Sequence, residues 1–431
     1  MTTAPIGPHT IQRYRLSNGL TLLVQENHTS PSVVVRGSLR AGALFDPPEK
    51  PGLADFTASA MRRGTENRTF AEINETVEAV AASLYVSGGR HLTSFGGKSL
   101  VEDFELLVEV LADVLLHPIF PQKEVDKIRG QTLTSLKEME DSPRALASRY
   151  FRELLYTPNH PYGRHVIGTL ESIPTITRQH LVDFYQTYYR PEGAIIVVVG
   201  DMTGEQVRDA LERALGGWRK EGPPSPLEVP PSSSLPEQRC FVHTMADKSQ
   251  ADVIVGFVGP ARLASDYYAA TLGNVILGQL GLGGRLGENV REEQGLAYYA
   301  HSRLDGGLGN GPWLARAGVN PADVEQAIDT IVAELRRFCS EPVSQAELDD
   351  AKAYITGTLP LRLETNEGVA GTLHQMELYK LGDDYIMRYS DLMNAVSREE
   401  ILAAAQRYLH PEHYALVVAG PYAAGEPLAL E

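Results

Sequence analysis

The sequence predicts an α+β protein built from two homologous half-molecules, each a mostly antiparallel sheet with helices packed on it. Three observations carry this prediction: a segment that recurs after 220 residues, a Pro/Ser-rich stretch between the copies, and short strand patterns alternating with long amphipathic helical ones. Residues 187–200 read TYYRPEGAIIVVVG and residues 407–420 read RYLHPEHYALVVAG. Tyr188 pairs with Tyr408, Pro191 with Pro411, Glu192 with Glu412 and Gly200 with Gly420, all 220 apart. Upstream, Thr177-Arg178 pairs with Ser397-Arg398 and Leu181 with Ile401. A second echo sets His117-Pro118 and Glu124-Val125-Asp126 against Glu341-Pro342 and Glu347-Leu348-Asp349, at offsets of 224 and 223. Between the copies, EGPPSPLEVPPSSSLPEQR (221–239) has the composition of an extended, semi-rigid spacer. The expected division is an N-terminal α+β domain over 1–220, a linker over 221–239 and a C-terminal α+β domain over 240–431.

The elements of the first half follow from period and punctuation. Residues 20–25 and 33–39 read as strands, bounded by Asn18-Gly19 and Ser30-Pro31. Residues 52–62 carry Leu53, Phe56 and Ala60 near a 3.6 period, and a second helix is expected over 70–82. Two strands follow at 84–87 and 91–95. Residues 101–116 form a strongly amphipathic helix, with Phe104, Leu107, Val108, Val110, Leu111, Val114 and Leu115 turned inward, and 124–138 continue helical. The longest apolar run, 194–199, is far too short to span a bilayer and reads as a buried strand.

Composition narrows function. Lys and Arg total 39 against 55 Asp and Glu, a net charge of −16, which repels phosphate backbones and anionic lipid. Nucleic-acid and membrane partners are therefore not expected, and the acidic balance favours basic peptides. Cys240 and Cys339 make neither a disulfide framework nor a thiolate metal site. Residues 1–9 show no basic segment followed by an apolar one and no Arg/Ser-rich leader, so a cytoplasmic location is expected.

Motifs for chemistry are sparse. Neither His-Glu-x-x-His nor His-x-x-Glu-His occurs. His410 and His413 flank a Pro-Glu whose repeat counterpart at 190–193 keeps the Pro-Glu without histidine, so a turn is the better reading. His160 and His165, in HPYGRH, likewise read as turn residues. No Gly-x-Ser-x-Gly elbow is present. The run GQLGLGGRLGEN (278–289) lacks the Gly-Lys-Ser/Thr ending of a phosphate loop and reads as flexible backbone near a ligand or interface.

The order of segments resembles the pitrilysin and mitochondrial-processing-peptidase metallopeptidases along nearly the whole chain. The resemblance lies in LSNGLTLLVQENHTSPSVVV (16–35), AGALFDPPEKPGLADFTASAMRRGT (41–65), EMEDSPRALA (138–147), HPYGRHVIGTLESI (160–173) and LGGRLGENVREEQGLAYYAHS (282–302). Active members carry a zinc-binding His-x-x-Glu-His on the helix after Gly-Leu-Ala. Here the two histidine positions hold Asp55 and Ser59, the position of the water-activating glutamate holds Ala58, and the third ligand position aligns with Ser135. Zinc catalysis needs three basic ligands, an open position for water and a general base; one carboxylate and two hydroxyls cannot hold zinc tightly, and alanine cannot take a proton. The chain alone is expected to bind no metal and hydrolyse no peptide.

The second half retains Arg291-Glu-Glu-Gln-Gly-Leu-Ala-Tyr298, which resembles the family's Arg/Tyr pair. A helix over 285–293, with Leu286 and Val290 inward, would end near Gly295 and put Tyr298 on the next strand. Without the resemblance, Arg291 reads as a helix-face charge, and Tyr298 and Tyr299 as a strand pair with one side chain inward and one outward. The resemblance implies that Tyr298 steadies a developing oxyanion and that Arg291 holds substrate carbonyls, both in trans. The expected protein is thus the non-catalytic subunit of a two-chain, clam-shell zinc peptidase acting on unfolded or short peptides, with zinc in a homologous partner. The alternative is a non-enzymatic peptide-binding or structural homologue, as a homodimer or a complex core subunit.

Overall fold

A computed structural model describes residues 6–157, 159–222 and 224–422. Residues 1–5 of the stretch read for a leader, Pro223 of the Pro/Ser-rich segment and residues 423–431 lie outside the described residues. The first sheet contains β1 (Ile11–Arg15), β2 (Thr21–Glu26), β3 (Ser32–Leu39), β4 (Ser83–Gly88), β5 (Thr93–Leu100) and β6 (Ile195–Gly200), in the order β1-β2-β6-β3-β5-β4. The second contains β7 (Arg239–Thr244), β8 (Ala251–Val258), β9 (Ala297–Leu304), β10 (Pro312–Val319) and β11 (Ala415–Gly420), in the order β7-β11-β8-β10-β9.

The two sheets share one plan. β6 runs parallel to β2 and antiparallel to β3; β11 runs parallel to β7 and antiparallel to β8, and the remaining ladders are antiparallel. β6 and β11 are interior strands with every residue buried, which is why each reads as an unbroken apolar run. The helices before them, Arg178–Tyr188 and Arg398–Tyr408, keep the offset of 220 and both open on a hydroxyl capping box, Thr177 with His180 and Ser397 with Glu400. The two α+β halves of the sequence reading are therefore present. β1 is an addition to the first; its five residues alternate in burial too briefly to stand out in the sequence.

Two boundaries differ from the sequence pattern. The helix expected over 70–82 ends at Glu78, and Ala81 turns the chain at φ +50° into β4. The strand expected at 91–95 is β5, which extends to Leu100 because β3 pairs with all of it, overriding its weakly patterned Gly-Gly-Lys-Ser. The apolar helix begins as a 3₁₀ turn at Val101–Asp103 before Phe104–Leu116.

Two compact units result: one of Met1–Ser135, His165–Glu228 and Leu359–Tyr389, the other of Leu136–Arg164, Val229–Thr358 and Ser390–Glu431. Each takes one helix that is distant in sequence from its sheet. In the first, Asn366–Leu378 packs on β6 and β3, burying Val369, Ala370 and Leu373; its His374 Nε2 lies 2.7 Å from Ser38 Oγ. In the second, Pro143–Leu155 packs on β11 and β8, burying Leu146, Ala147, Phe151 and Leu155 against Ile254, Ala415, Val417 and Ala419. The two helices lie 223 residues apart, the offset of the second sequence echo.

The Pro/Ser-rich segment forms neither helix nor strand over 224–235. Within the second unit it is pinned: Leu235 is buried, and His160 Nε2 lies 3.0 Å from the Pro230 carbonyl and 2.9 Å from Ser232 Oγ. His160 Nδ1 accepts from the Tyr162 amide at 3.1 Å, so this histidine shapes a turn. His165 and His410 also sit in turns, through Gly168 and His413 respectively.

Candidate functional site

In the first unit the site is built on helix Leu53–Met61. Gly52 precedes it in the left-handed region at φ +95°, a conformation that a side chain would strain. Its first amides are capped from outside the helix: the buried Asp46 carboxylate accepts from Gly52 N and Ala54 N, both at 2.8 Å. This explains the acidic residue six positions upstream, a cap that the local helix-start rules do not find. Leu53, Phe56, Ala60 and Met61 are buried, leaving Asp55 and Ser59 half-buried on one face.

Among the described residues no ion pair to Asp55 is present. Burial pushes its carboxyl up to about 6, opposed by the Gly88 amide that donates to it. Ala58 is fully buried and offers only a methyl group. Ser135 lies exposed on helix Gln122–Glu140, and no hydrogen bond among the described residues links it to Asp55 or Ser59. One carboxylate, a methyl and two hydroxyls do not make a zinc ligand set. Among the described residues no group of three or more His, Cys, Asp or Glu could hold a metal ion.

In the second unit, the helix expected over 285–293 is present with π-helical geometry at Gly287–Glu293. Leu286 and Val290 are buried, as the pattern requires. Gly295, at φ +67°, closes it: its amide donates to the Arg291 carbonyl at 3.1 Å, and the Leu296 amide donates to the Val290 carbonyl at 3.0 Å. The segment is held by Arg285, which is buried. Its Nε and Nη2 donate to the two Glu347 oxygens at 2.6 and 3.0 Å, and its Nη1 lies 3.5 Å from buried Glu334. The guanidinium and the Ser344 amide hold the Glu347 carboxyl down at about 2. The glycine-rich run forms a π turn at Val275–Gln279 and a 3₁₀ turn at Gly281–Gly283 before this segment.

Arg291 is exposed, and among the described residues its one ion-pair contact is with its neighbour Glu292 at 3.5 Å. Tyr298 lies on β9, an edge strand, and is 64% exposed. Ala297 pairs with Val319 and Tyr299 with Gly318, so Tyr298 is the extra residue of a β-bulge. Bulges re-aim side chains at sheet edges and beside active sites. The expected inward and outward tyrosine pair is therefore present: Tyr299 is half-buried and donates to Asp252 at 2.6 Å, whereas Tyr298 Oη has no hydrogen bond among the described residues. No sequence pattern marked the bulge. The residues around Tyr299 were also missed, although Asp252 and Arg316 are lone ionisable residues within otherwise apolar strands, a signal in itself.

The family profile described as "Insulinase (Peptidase family M16)" matches residues 21–170, the half with the altered helix. The profile described as "Peptidase M16 inactive domain" matches residues 175–355, the stretch with Arg291 and Tyr298. The chain belongs to peptidase family M16. Among M16 relatives, an uncharacterized zinc protease of Bacillus subtilis, YmxG, is 26% identical over 95% of this chain and 98% of its own length. An uncharacterized zinc protease of Mycobacterium leprae is 27% identical over 96% of this chain and 93% of its own. A crystal structure described as a peptidase M16 inactive domain from Pseudomonas fluorescens superposes with a TM-score of 0.90 at 26% identity, covering 97% of this chain and 99% of that one. A protease from Helicobacter pylori shares the fold, with a TM-score of 0.88 at 20% identity over 95% and 99% of the two chains. No described helix of this M16 chain is long and apolar enough to cross a membrane.

Proposed function

We propose that this chain is the non-catalytic subunit of a two-chain M16 zinc peptidase, supplying Arg291 and Tyr298 to the zinc site of a homologous partner. The observation that carries the reading is an asymmetry within one chain. The helix at the ligand positions offers Asp55, Ala58 and Ser59, while an exposed arginine and tyrosine are kept on an anchored helix end and a bulged edge strand. The relatives named zinc proteases support a zinc-based family chemistry, and on this reading a partner chain would hold the zinc that supplies the hydroxide.

This chain's contribution is electrostatic. As hydroxide adds to a peptide carbonyl, the oxygen gains charge, and a phenol aimed at it donates more strongly to that oxyanion than to the starting carbonyl. Arg291 would hold neighbouring backbone carbonyls through its fixed fork of donors, which fits extended peptides of varied side chains. Substrates on this reading are unfolded or short peptides, and the two sequence copies join at 221–239.

The test is to mix the purified chain with a homologous chain carrying His-x-x-Glu-His and to follow cleavage of an unfolded peptide. Activity is expected in the mixture and in neither chain alone. Undiminished activity of the zinc-bearing chain by itself, with no gain on mixing, would refute the proposal.

A further inference from the structure

The chain is acidic overall, yet one face of its second sheet is cationic. On β9, His301 stands opposite Arg316 of β10, with Tyr299 and Arg303 two residues away on either side and on the same face. Arg144, from the first turn of helix Pro143–Leu155, lies over the Tyr299 ring at 5.1 Å. Asp252 meets Arg316 at 3.7 Å and accepts from Tyr299; Asp305 pairs with both Arg152, at 2.6 Å, and Arg303, at 2.5 Å. Four guanidiniums against two carboxylates leave an excess of two positive charges in a chain of net charge −16. Arg144 has no ion pair among the described residues, and the Arg316 Nε is buried without a hydrogen-bond partner. The field is felt at His301, whose imidazole burial and the charges of Arg316, Arg144 and Arg303 hold down at about 4.

Arg144 and Arg303 are exposed, so an anion from solvent can reach the cluster. Among the described strands β9 pairs with β10 alone, and a peptide added along its outer side would place alternate side chains on this face. We infer that the face of β9 and β10 bearing Arg144, Arg303 and Arg316 is a subsite for a carboxylate of the bound peptide, either an acidic side chain or a free C-terminus. The inference rests on the peptide-handling role proposed above, and it reverses the substrate preference that the overall charge suggested. A planar carboxylate suits a guanidinium fork, and its charge relieves the repulsion among arginines that lack a full complement of anions.

The test uses the full chain and fluorescence anisotropy with four versions of one labelled extended peptide: glutamate or glutamine at an internal position, each with a free or an amidated C-terminus. Wild-type protein is expected to bind at least one carboxylate-bearing version about tenfold more tightly than its neutral counterpart, the scale of one charge-assisted hydrogen bond. A preference seen on glutamate against glutamine assigns the side chain; one seen on amidation assigns the C-terminus. Arg144→Gln and Arg303→Gln should each erase most of that preference, and Arg213→Gln, which removes an exposed charge elsewhere in the chain, should leave it intact. Binding without any carboxylate preference, or a preference unmoved by both cluster variants, would overturn the subsite while leaving the Arg291/Tyr298 proposal standing. Failure of all four peptides to bind would overturn both.

Discussion

Asp55→Asn is expected to stabilise the protein at neutral pH and to do nothing in acid. The folded chain holds this carboxyl near 6 because burial outweighs the single Gly88 amide that donates to it. An unfolded aspartate titrates near 3.9, and a gap of about two units corresponds to about 3 kcal/mol, or about 2 kcal/mol after discounting for a half-buried position. The sign follows from the raised folded value. Below about pH 4 the group is protonated in both states and costs nothing. Between about pH 4 and pH 6 the unfolded chain ionises first, so wild-type stability falls as pH rises, and the full cost is present above about pH 6. Asparagine keeps an acceptor for the Gly88 amide and carries no charge. By thermal unfolding, Asp55→Asn should melt about 4–8 °C above wild type at pH 8, at 2–4 °C per kcal/mol for a unit of this size, with the difference small at pH 4 and gone by about pH 3. Equal melting at pH 8, or a less stable variant, would refute the reasoning, because it would mean that a cation offsets the Asp55 charge.

Asp46→Asn should cost about 1.5–3 kcal/mol in urea unfolding, since one of the Gly52 and Ala54 amides loses its charged acceptor and faces an amide group instead. Arg285→Ala should cost about 1.5–3 kcal/mol by removing the two-point partner of Glu347 and one of the two guanidiniums beside buried Glu334, which keeps Arg337 at 3.6 Å, and Arg285→Lys should recover little of it because one ammonium cannot match the planar fork on both Glu347 oxygens. Combining Asp55→His, Ala58→Glu, Ser59→His and Ser135→Glu should confer about one tightly held zinc per chain by elemental analysis after dialysis, against none for wild type. A wild-type chain that retains stoichiometric zinc would contradict the reading of the Asp55–Ser59 helix.

Much of the architecture was legible because local and global preferences agree. The apolar runs of β6 and β11, the capping hydroxyls of Thr177 and Ser397 and the inward stripe of Phe104–Leu116 are each dictated by their own residues. The partnering of helices Pro143–Leu155 and Asn366–Leu378 was not legible, because an amphipathic stripe states that a helix buries one face and not which sheet it meets. At the candidate site the sequence pointed to Arg291 and Tyr298 by resemblance. The π-helical geometry beneath Arg291 and the bulge at Tyr298 depend on Glu347, Glu334 and Val319, residues distant along the chain. The cationic face of β9 and β10 escaped notice because its arginines are scattered from 144 to 316 and are hidden in an acidic total.

The central claim is that Tyr298 steadies an oxyanion formed at another chain's metal, and a single hydroxyl tests it. Tyr298→Phe, assembled with a zinc-bearing partner, should lower kcat by about 10²-fold with little change in KM, because the lost interaction strengthens only as charge develops. A variant with wild-type kcat in the assembled pair would contradict the account.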